Sequence, residues 1–488
     1  MTQAMPLLVL STSLVTAVII FLLDEVQQRL RTAVNLVGAV AKLVLVTVML
    51  DGVARGVVYE TRLILLPEFE LMFRVDALAL LFLTLSAFLW LLTTVYAISY
   101  LDRGPDLSRF FGFFSLCVMA TAGIAMSGTL ISFFIFYELL TLSTWPLVVH
   151  NANAESLAAG RRYLAYTLGG STALLLGIVW LESLTGPIEF TLAGQVADLA
   201  PHTLQMIFVL LIGGLGVKAA LVPLHGWLPA AMVAPAPVSA LLHAVAVVKA
   251  GAFGIVRIIY DVYGTALVND LDLGLPLAAL ASFTIIYASL RALQQSDIKR
   301  RLAFSTVSQI SYIALGAALI GPFAIIGGLV HIVHQGLMKI TLFFCAGALS
   351  KQLHVHTIDE LDGAGRRMPW TMLAFTIGGL GMIGVPPIAG FITKWYLGIG
   401  GLQAGQGWVV LVLAASSLLN AAYFLPLIYR AWFLPAPADA ETAIERDRWL
   451  VGPAVVTALA AILTGILAGV DFSPLAWATL IVERTYLP

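Results

Sequence analysis

The sequence predicts an all-α, polytopic membrane protein of about fourteen transmembrane helices, and three observations carry that prediction. First, 60% of the 488 residues are hydrophobic and 11% are charged, where soluble domains carry about 25% charged residues; the mean hydropathy is +0.97. Second, apolar runs of roughly 17 to 25 residues, long enough to cross a hydrocarbon layer, recur along the chain. Third, the longest connections between them, 51–74, 185–202, 351–368 and 431–449, are too short to fold alone as a catalytic domain. Function therefore has to lie within the membrane.

The runs begin near residues 4, 32, 75, 110, 129, 161, 203, 237, 274, 300, 323, 369, 407 and 450. The first, MPLLVLSTSLVTAVIIFLL, lacks the positive n-region and small-residue cleavage site of a signal peptide, so a retained helix is expected. Cytoplasmic loops carry an excess of Lys and Arg. The connections after runs 1, 3, 5, 9, 11 and 13 hold 15 such residues: Arg29, Arg31, Arg103, Arg109, Arg161, Arg162, Lys299, Arg300, Arg301, Lys351, Arg366, Arg367, Arg430, Arg446 and Arg448. The opposite side holds 4, namely Arg55, Arg62, Arg74 and Arg484. Both termini are expected on the non-cytoplasmic side of a cell inner (plasma) membrane.

Composition also excludes function classes. A net charge of −1 offers no basic field for nucleic acid. Cys117 and Cys345 both fall inside apolar runs and form no CxxC, so neither a disulfide framework nor an iron–sulfur site is indicated. Two glycine patterns, Gly379 with Gly381 and Gly384, and Gly214 with Gly216, resemble a nucleotide-binding fingerprint, but neither follows a strand. In membrane helices small residues of this kind permit close packing. No cofactor and no metal site is expected. His331 and His334 have no carboxylate or cysteine beside them at ligand spacing, and the histidine pairs across two helices that a di-haem enzyme needs are missing.

The seventh and twelfth runs are unusual. They extend from about 203 to 233 and from about 369 to 400, and proline interrupts each, at Pro223 and at Pro386 and Pro387. Five runs lie from one to the next, so two five-helix units would enter the membrane from opposite sides, the inverted-repeat pattern in which broken helices mark an ion path. The expected division is 1–109 (helices 1 to 3), 110–262 (first repeat), 274–430 (second, inverted repeat) and 431–488 (loop and last helix). Lys218 precedes its break and Lys394 follows the second, so the two lysines need not be strict repeat mates.

Ionisable residues stand where membrane helices should carry none: Glu138, Lys218, His243, Lys249, His331, His334, Lys339 and Lys394. An ammonium near the bilayer centre costs roughly 2.5 to 3.5 kcal/mol on insertion scales. At 100° per residue His331, His334, Gln335 and Lys339 fall within about 140° of one helix face, which must turn toward protein or water. The competing reading for each lysine is snorkelling to the interface or a structural ion pair; for Glu138 it is a structural pair, and for the histidines a satisfied core imidazole. His225, just after the first break, is placed to cap the restarted helix or bond freed carbonyls. Lys42 and Glu182 read as lipid-interface or packing charges, and Asp76 as a helix N-cap. Burial disfavours an ammonium and a nearby carboxylate favours it. At ~7 Å and an effective dielectric of ~20, Glu138 and Lys218 would attract by roughly 2.4 kcal/mol, so neutralising or moving the glutamate would push a proton off the lysine and along a relay.

At these residues the chain resembles the proton-translocating antiporter-like family: the large A-type and D-type subunits of Mrp-type cation/proton antiporters, the antiporter-like subunits of respiratory complex I, and related hydrogenase membrane subunits. The matching stretches are FFIFYELLTLSTWPL, GVKAALVPLHGWLPAAM, PVSALLHAVAVVKAG, DIKRRLAFSTVSQISY, HIVHQGLMKITLFF and GVPPIAGFITKW, over roughly 110–430. The resemblance implies fourteen helices with two inverted repeats. It also implies a charged axis in which Glu138 pairs with Lys218, Lys249 and the residues of the eleventh helix connect, and Lys394 ends the path. A lysine in the last motif and a chain ending soon after the last helix most resemble the D-type Mrp subunit. Ala230 is a departure, since many relatives carry an aspartate after WLP. The implied function is proton translocation in a multi-subunit Na+/proton antiporter, with other membrane subunits as partners. The alternatives are a non-redox, proton-pumping membrane subunit of an NADH-quinone oxidoreductase or hydrogenase, or a coupling subunit of an inorganic-carbon uptake system.

Overall fold

The computed structural model describes residues 2–66, 69–102, 104–190, 196–436, 445 and 447–486. Two apolar helices, α1 (Met5–Leu22) and α2 (Gln28–Ala54), lead into an antiparallel hairpin, β1 (Tyr59–Leu66) and β2 (Phe69–Val75), and then α3 (Ala77–Tyr100). Next come α4 (Leu107–Met126), α5 (Leu130–Val148), α6 (Ala154–Thr185), α7 (Pro201–Lys218), α8 (Trp227–Ala230), α9 (Ala236–Ala244), α10 (Val247–Arg257) and α11 (Thr265–Asp270). The second half contains α12 (Gly274–Leu293), α13 (Ile298–Ala318), α14 (Pro322–Leu353), α15 (Ala364–Arg367), α16 (Pro369–Ile383), α17 (Ala389–Gln403), α18 (Trp408–Phe433), α19 (Arg448–Ile466) and α20 (Pro474–Ile481).

Among the described residues, 12 spans are long and apolar enough to cross a membrane, α9 and α10 counting as one with the π-helical turn Ile258–Tyr263. The other two predicted runs are α13, whose first turn carries Lys299, Arg300 and Arg301, and the pair α16 and α17, of 15 residues each. The chain is thus an integral membrane protein built almost wholly of helices. Its outer faces are apolar, with Val37, Leu176, Phe283, Leu411 and Leu418 all exposed. α14 lies at the centre and packs against α3, α9, α13, α16, α17 and α19.

Local chemistry sets several helix ends. Asp76 accepts from Ala79 N at 2.7 Å, Asn153 from Ser156 N at 2.8 Å and Asp297 from Arg300 N at 2.7 Å, each satisfying an orphan donor of a first turn.

Three features depart from the sequence reading. Residues 59–75, expected as a plain connection, pair as a hairpin with Tyr59 opposite Val75, and Arg62 ties Glu60, Glu70 and Glu189 together beside it. The eighth predicted helix is two, α9 and α10, because Ala246 N bonds back to Leu241 O rather than to Leu242 O. A short extra helix, α20, follows α19. In the loop count, Arg103 and Arg446 lie outside the described residues. Several others are clamps rather than free surface charges: Arg31 bonds Ser108 and Glu25, Arg301 donates to the carbonyls of Leu293, Gln295 and Tyr423, Arg430 pairs with Asp359 and Asp362, and Lys299 donates to the Ala234 carbonyl.

Candidate functional site

α7 stops at Lys218, earlier than the expected break at Pro223. Proline lacks an N–H and its ring collides with the carbonyl four residues back, so the chain must leave the helix before reaching it. Ala220 takes φ of +56°, with Leu221 N bonded to Gly216 O at 2.9 Å and Ala220 N to Val217 O at 3.1 Å, closing the helix in a Schellman turn. Trp227 Nε1 also donates to Val217 O at 2.7 Å, and Thr284 Oγ1 on α12 accepts from Val222 N at 3.1 Å. The break is therefore held open by specific partners. The His225 carbonyl, not its ring, takes the first bond of α8, from Leu228 N; the ring packs edge-on to Tyr287 at 5.5 Å.

Lys218 is fully buried at the end of α7, where it donates to the Tyr137 carbonyl and sits 3.3 Å from the centre of the Tyr137 ring. Glu138 is half-buried and, among the described residues, has no ion pair; its Oε1 is enclosed without a protein partner. Thus α5 brings the glutamate next to the lysine through the intervening peptide. Among the described residues the two side chains make no salt bridge within 4 Å, because the cation is taken by the carbonyl and ring of the preceding residue, but they stand close enough to attract one another.

α10 presses directly on this break. A side chain at Gly251 would overlap the Ala219 nitrogen and lie 2.7 Å from Leu215 O and 2.8 Å from the Lys218 carbonyl carbon. Two residues earlier on α10, Lys249 is buried and donates to the Ile332 carbonyl of α14, between His331 and His334. The break between α9 and α10 frees the His243 carbonyl, to which Gln335 Nε2 reaches at 3.4 Å. The rings of His243 and His331 are buried, 4.6 Å from Phe343 and 5.1 Å from Tyr312, and among the described residues their nitrogens make no hydrogen bond. His334 Nδ1 lies 3.2 Å from Thr393 Oγ1, beside Lys394.

The second half holds a continuous hydrogen-bonded chain. Lys339 Nζ donates to Ser305 Oγ at 2.8 Å, and Ser305 Oγ lies 3.0 Å from the Tyr423 hydroxyl. Asn420 Oδ1 is acceptor-only, so the Tyr423 hydroxyl donates to it and takes the Ser305 hydroxyl as its own donor. Asn420 Nδ2 donates to Met382 O at 3.0 Å. Lys394 Nζ shares that carbonyl at 3.3 Å and donates to Ile383 O at 2.6 Å and Ser417 Oγ at 2.7 Å. Tyr312 OH bonds Ser416 Oγ at 2.8 Å, and its ring centre lies 5.9 Å from Lys394 Nζ.

The sequence reading missed Ser305, Tyr312, Ser417, Asn420 and Tyr423. The signal was present: residues 416, 420 and 423 are spaced to share one face of an otherwise apolar helix. It also missed Arg257, which is buried and bonded to Asp76 Oδ2 at 2.6 Å, Asp76 Oδ1 at 2.9 Å and Asp261 Oδ2 at 2.8 Å. Asp76 is thus both the expected cap and an ion-pair partner. Lys42 is a packing charge and not an interfacial one, fully buried with Ser13 Oγ at 2.8 Å and Trp90 below it. The paired glycines lie in or at the ends of helices, and Gly384, with φ of +94°, closes α16.

Fold and site together define a polytopic membrane protein with Lys218, Lys249, Lys339, His243, His331 and His334 buried inside its helical bundle. The chain belongs to the transmembrane family described as "NADH:quinone oxidoreductase/Mrp antiporter", which matches residues 127–420. Residues 67–111 match the N-terminal family of complex I chain 5. The chain is 36% identical over 381 residues to NADH-quinone oxidoreductase subunit N of Desulforudis audaxviator, covering 76% of this chain and 75% of that one. It is 31% identical to the A/B component of a probable K(+)/H(+) antiporter of Rhizobium meliloti over 89% of this chain, but spans only 44% of that protein's length. A chain of the Mrp complex from Dietzia sp. has the same fold, with a TM-score of 0.87 at 23% identity over 100% of this chain and 98% of that one.

Proposed function

We propose that this chain is a proton-translocating subunit of a multi-subunit monovalent cation/proton antiporter, multi-pass in the plasma membrane with both termini on the non-cytoplasmic side. Ten of its fourteen helices form the two inverted five-helix units 110–262 and 274–430, with three helices before them and one after. Protons pass along Glu138, Lys218, His243, Lys249, His331, His334, Lys339 and Lys394, and the breaks around Pro223 and His225 and around Pro386 and Pro387 supply the polar backbone that admits water. The observation that carries the reading is that all four lysines are bonded to protein oxygens inside an apolar bundle rather than snorkelling to its surface. Isolated charges in such a place are costly, and a proton pathway is the use that repays them. Glu138 follows the Tyr137 carbonyl that holds Lys218, and its Oε1 is enclosed without a hydrogen-bond partner among the described residues.

Reconstitution tests this reading. A Na+ gradient across liposomes containing the complex should move protons, and Lys218→Ala or Glu138→Ala should abolish that movement. Wild-type flux in both variants removes the relay. The similarity to the NADH-quinone oxidoreductase relative favours a second reading, a proton-pumping membrane subunit of an NADH-quinone oxidoreductase-like complex. Copurification of iron–sulfur subunits would select it.

A further inference from the structure

A polar cavity of about 390 Å3 opens beside α8, and none of the buried lysines lines it; ligand pockets typically measure about 300 to 1,000 Å3. Glu155 and Arg162 share one face of α6 and form one wall, while Arg291 at the end of α12 and Arg300 at the start of α13 form another. The third is α8, with Gly226 and Ala230, packed against both α6 and α13. Three guanidiniums thus converge with one carboxylate. That carboxylate offsets little, since Glu155 lies 3.8 Å from Arg300 and both side chains are more than half exposed. Arg291 donates to a neutral acceptor, Gln294 Oε1, at 2.8 Å, and Arg162 has neither hydrogen bond nor ion pair among the described residues. Next to the cavity the bundle surface turns apolar. On the face that carries Arg162, α6 runs on through exposed Ala165 and Gly169 to Leu176, and a side chain added at Gly169 would meet nothing within 4 Å. α12 approaches Arg291 past Phe283 and Tyr287, whose rings stack at 5.9 Å.

We propose that this cavity binds a phosphate group, carried by an anionic phospholipid whose acyl chains lie along α6 and α12. The inference goes beyond the antiporter reading and does not depend on it. Guanidinium forks match phosphate oxygens in bidentate pairs, and an excess of positive charge with few protein partners favours an oxyanion. Basic pockets between transmembrane helices are places where anionic headgroups bind. Free phosphate or an acidic peptide would satisfy the guanidiniums too, but neither uses the apolar strips that continue from them. A phospholipid uses both. Bound there, its headgroup ties α6 to α12 and α13 across α8, the segment that resumes the chain after the break at Lys218. α8 is only 4 residues long, and so short a helix is marginal on its own, so a headgroup bridging its neighbours steadies it.

The test uses the purified complex containing the full chain, stripped of lipid in a neutral detergent and titrated separately with phosphatidylglycerol, phosphatidylcholine of the same acyl chains, and inorganic phosphate. Native mass spectrometry measures bound lipid, and thermal unfolding measures its effect. Wild type should bind phosphatidylglycerol and unfold at a higher temperature, respond far less to phosphatidylcholine, and ignore phosphate at the same concentrations. Arg162→Gln should weaken phosphatidylglycerol binding about fivefold, the worth of one basic residue beside an anionic headgroup. Ala230→Asp puts a carboxylate into the cavity and should weaken binding at least as much, whereas Ala230→Asn adds the same volume without the charge and should weaken it less. Arg162 has no hydrogen-bond or ion-pair partner to lose among the described residues, so its variant stays informative if Ala230→Asp fails to fold. Binding unchanged in Arg162→Gln, or equal effects of the aspartate and the asparagine, overturns the proposal. Phosphate that displaces phosphatidylglycerol at comparable concentration overturns the lipid in favour of a free anion. Loss of a neighbouring subunit from the Arg162→Gln complex overturns it in favour of an acidic partner segment.

Discussion

Substituting Gly251 by alanine tests whether the contact between α10 and the α7 break controls transport. The added carbon would overlap the Ala219 nitrogen and lie 2.7 Å from Leu215 O, against 3.4 Å for an ordinary contact, and backbone atoms cannot rotate aside. The two segments must therefore separate by at least about 0.7 Å, which carries Lys249 away from Lys218. Overpacking of this kind costs about 1 to 3 kcal/mol, and a shift near 1 Å in a reacting arrangement can cost about 100-fold in rate. We expect Gly251→Ala to lower liposome proton flux by roughly tenfold, equivalent to about 1.4 kcal/mol, and to lower thermal stability. Gly213→Ala on α7 is the control, since a side chain there meets nothing within 4 Å; its higher helix propensity should leave flux and stability unchanged or slightly improved. Wild-type flux and stability in Gly251→Ala would refute the coupling of these helices.

Three further outcomes follow from the same geometry. Arg257→Met leaves Asp76 and Asp261 in a buried cluster without their cation, so stability should fall by about 3 to 5 kcal/mol in thermal or denaturant unfolding; a neutral result would mean the carboxylates are already protonated. Tyr423→Phe removes the hydroxyl joining Ser305 to Asn420, leaves a buried acceptor unpaired at a cost of about 1 to 3 kcal/mol, and should slow proton flux more than Phe424→Leu beside it. Unaltered flux would show that Lys339 and Lys394 communicate by another route. In the loop after α14, Glu360 accepts from His356 N at 2.7 Å and Thr357 N at 2.9 Å, and these bonds hold its carboxyl below the usual range. A depressed folded-state value means this local order is present above the ordinary glutamate range and is lost as pH falls through the depressed one. The protection factors of those two amides, with exchange corrected for its intrinsic pH dependence, should fall on acidification and in Glu360→Gln, and protection indifferent to both would count against it.

How much of this was legible beforehand differs from residue to residue. The four lysines stood out because an ammonium in an apolar run is an anomaly a one-dimensional scan detects. Ser305, Asn420 and Tyr423 did not, since uncharged polar residues are ordinary in membrane helices; only the crossing of α13 and α18 joins them into a chain. The break between α9 and α10 has no proline to announce it, so periodicity read the two as one helix. The hairpin at 59–75 lay hidden in a stretch whose charges resembled a plain loop.

The sequence alone determined that this chain crosses a membrane many times, that two helices break at proline and that ionisable residues lie among them. Those conclusions depend on hydropathy, on the missing proline N–H and on the cost of charge in hydrocarbon, all local properties. The tertiary structure decided what each charge touches: Lys218 bonds a carbonyl beside Glu138 and not its carboxylate, and Lys394 reaches back to the oxygens that Pro386 and Pro387 set free. Such choices depend on distances of a few ångströms between segments far apart in the chain, and no spacing along a single helix contains them.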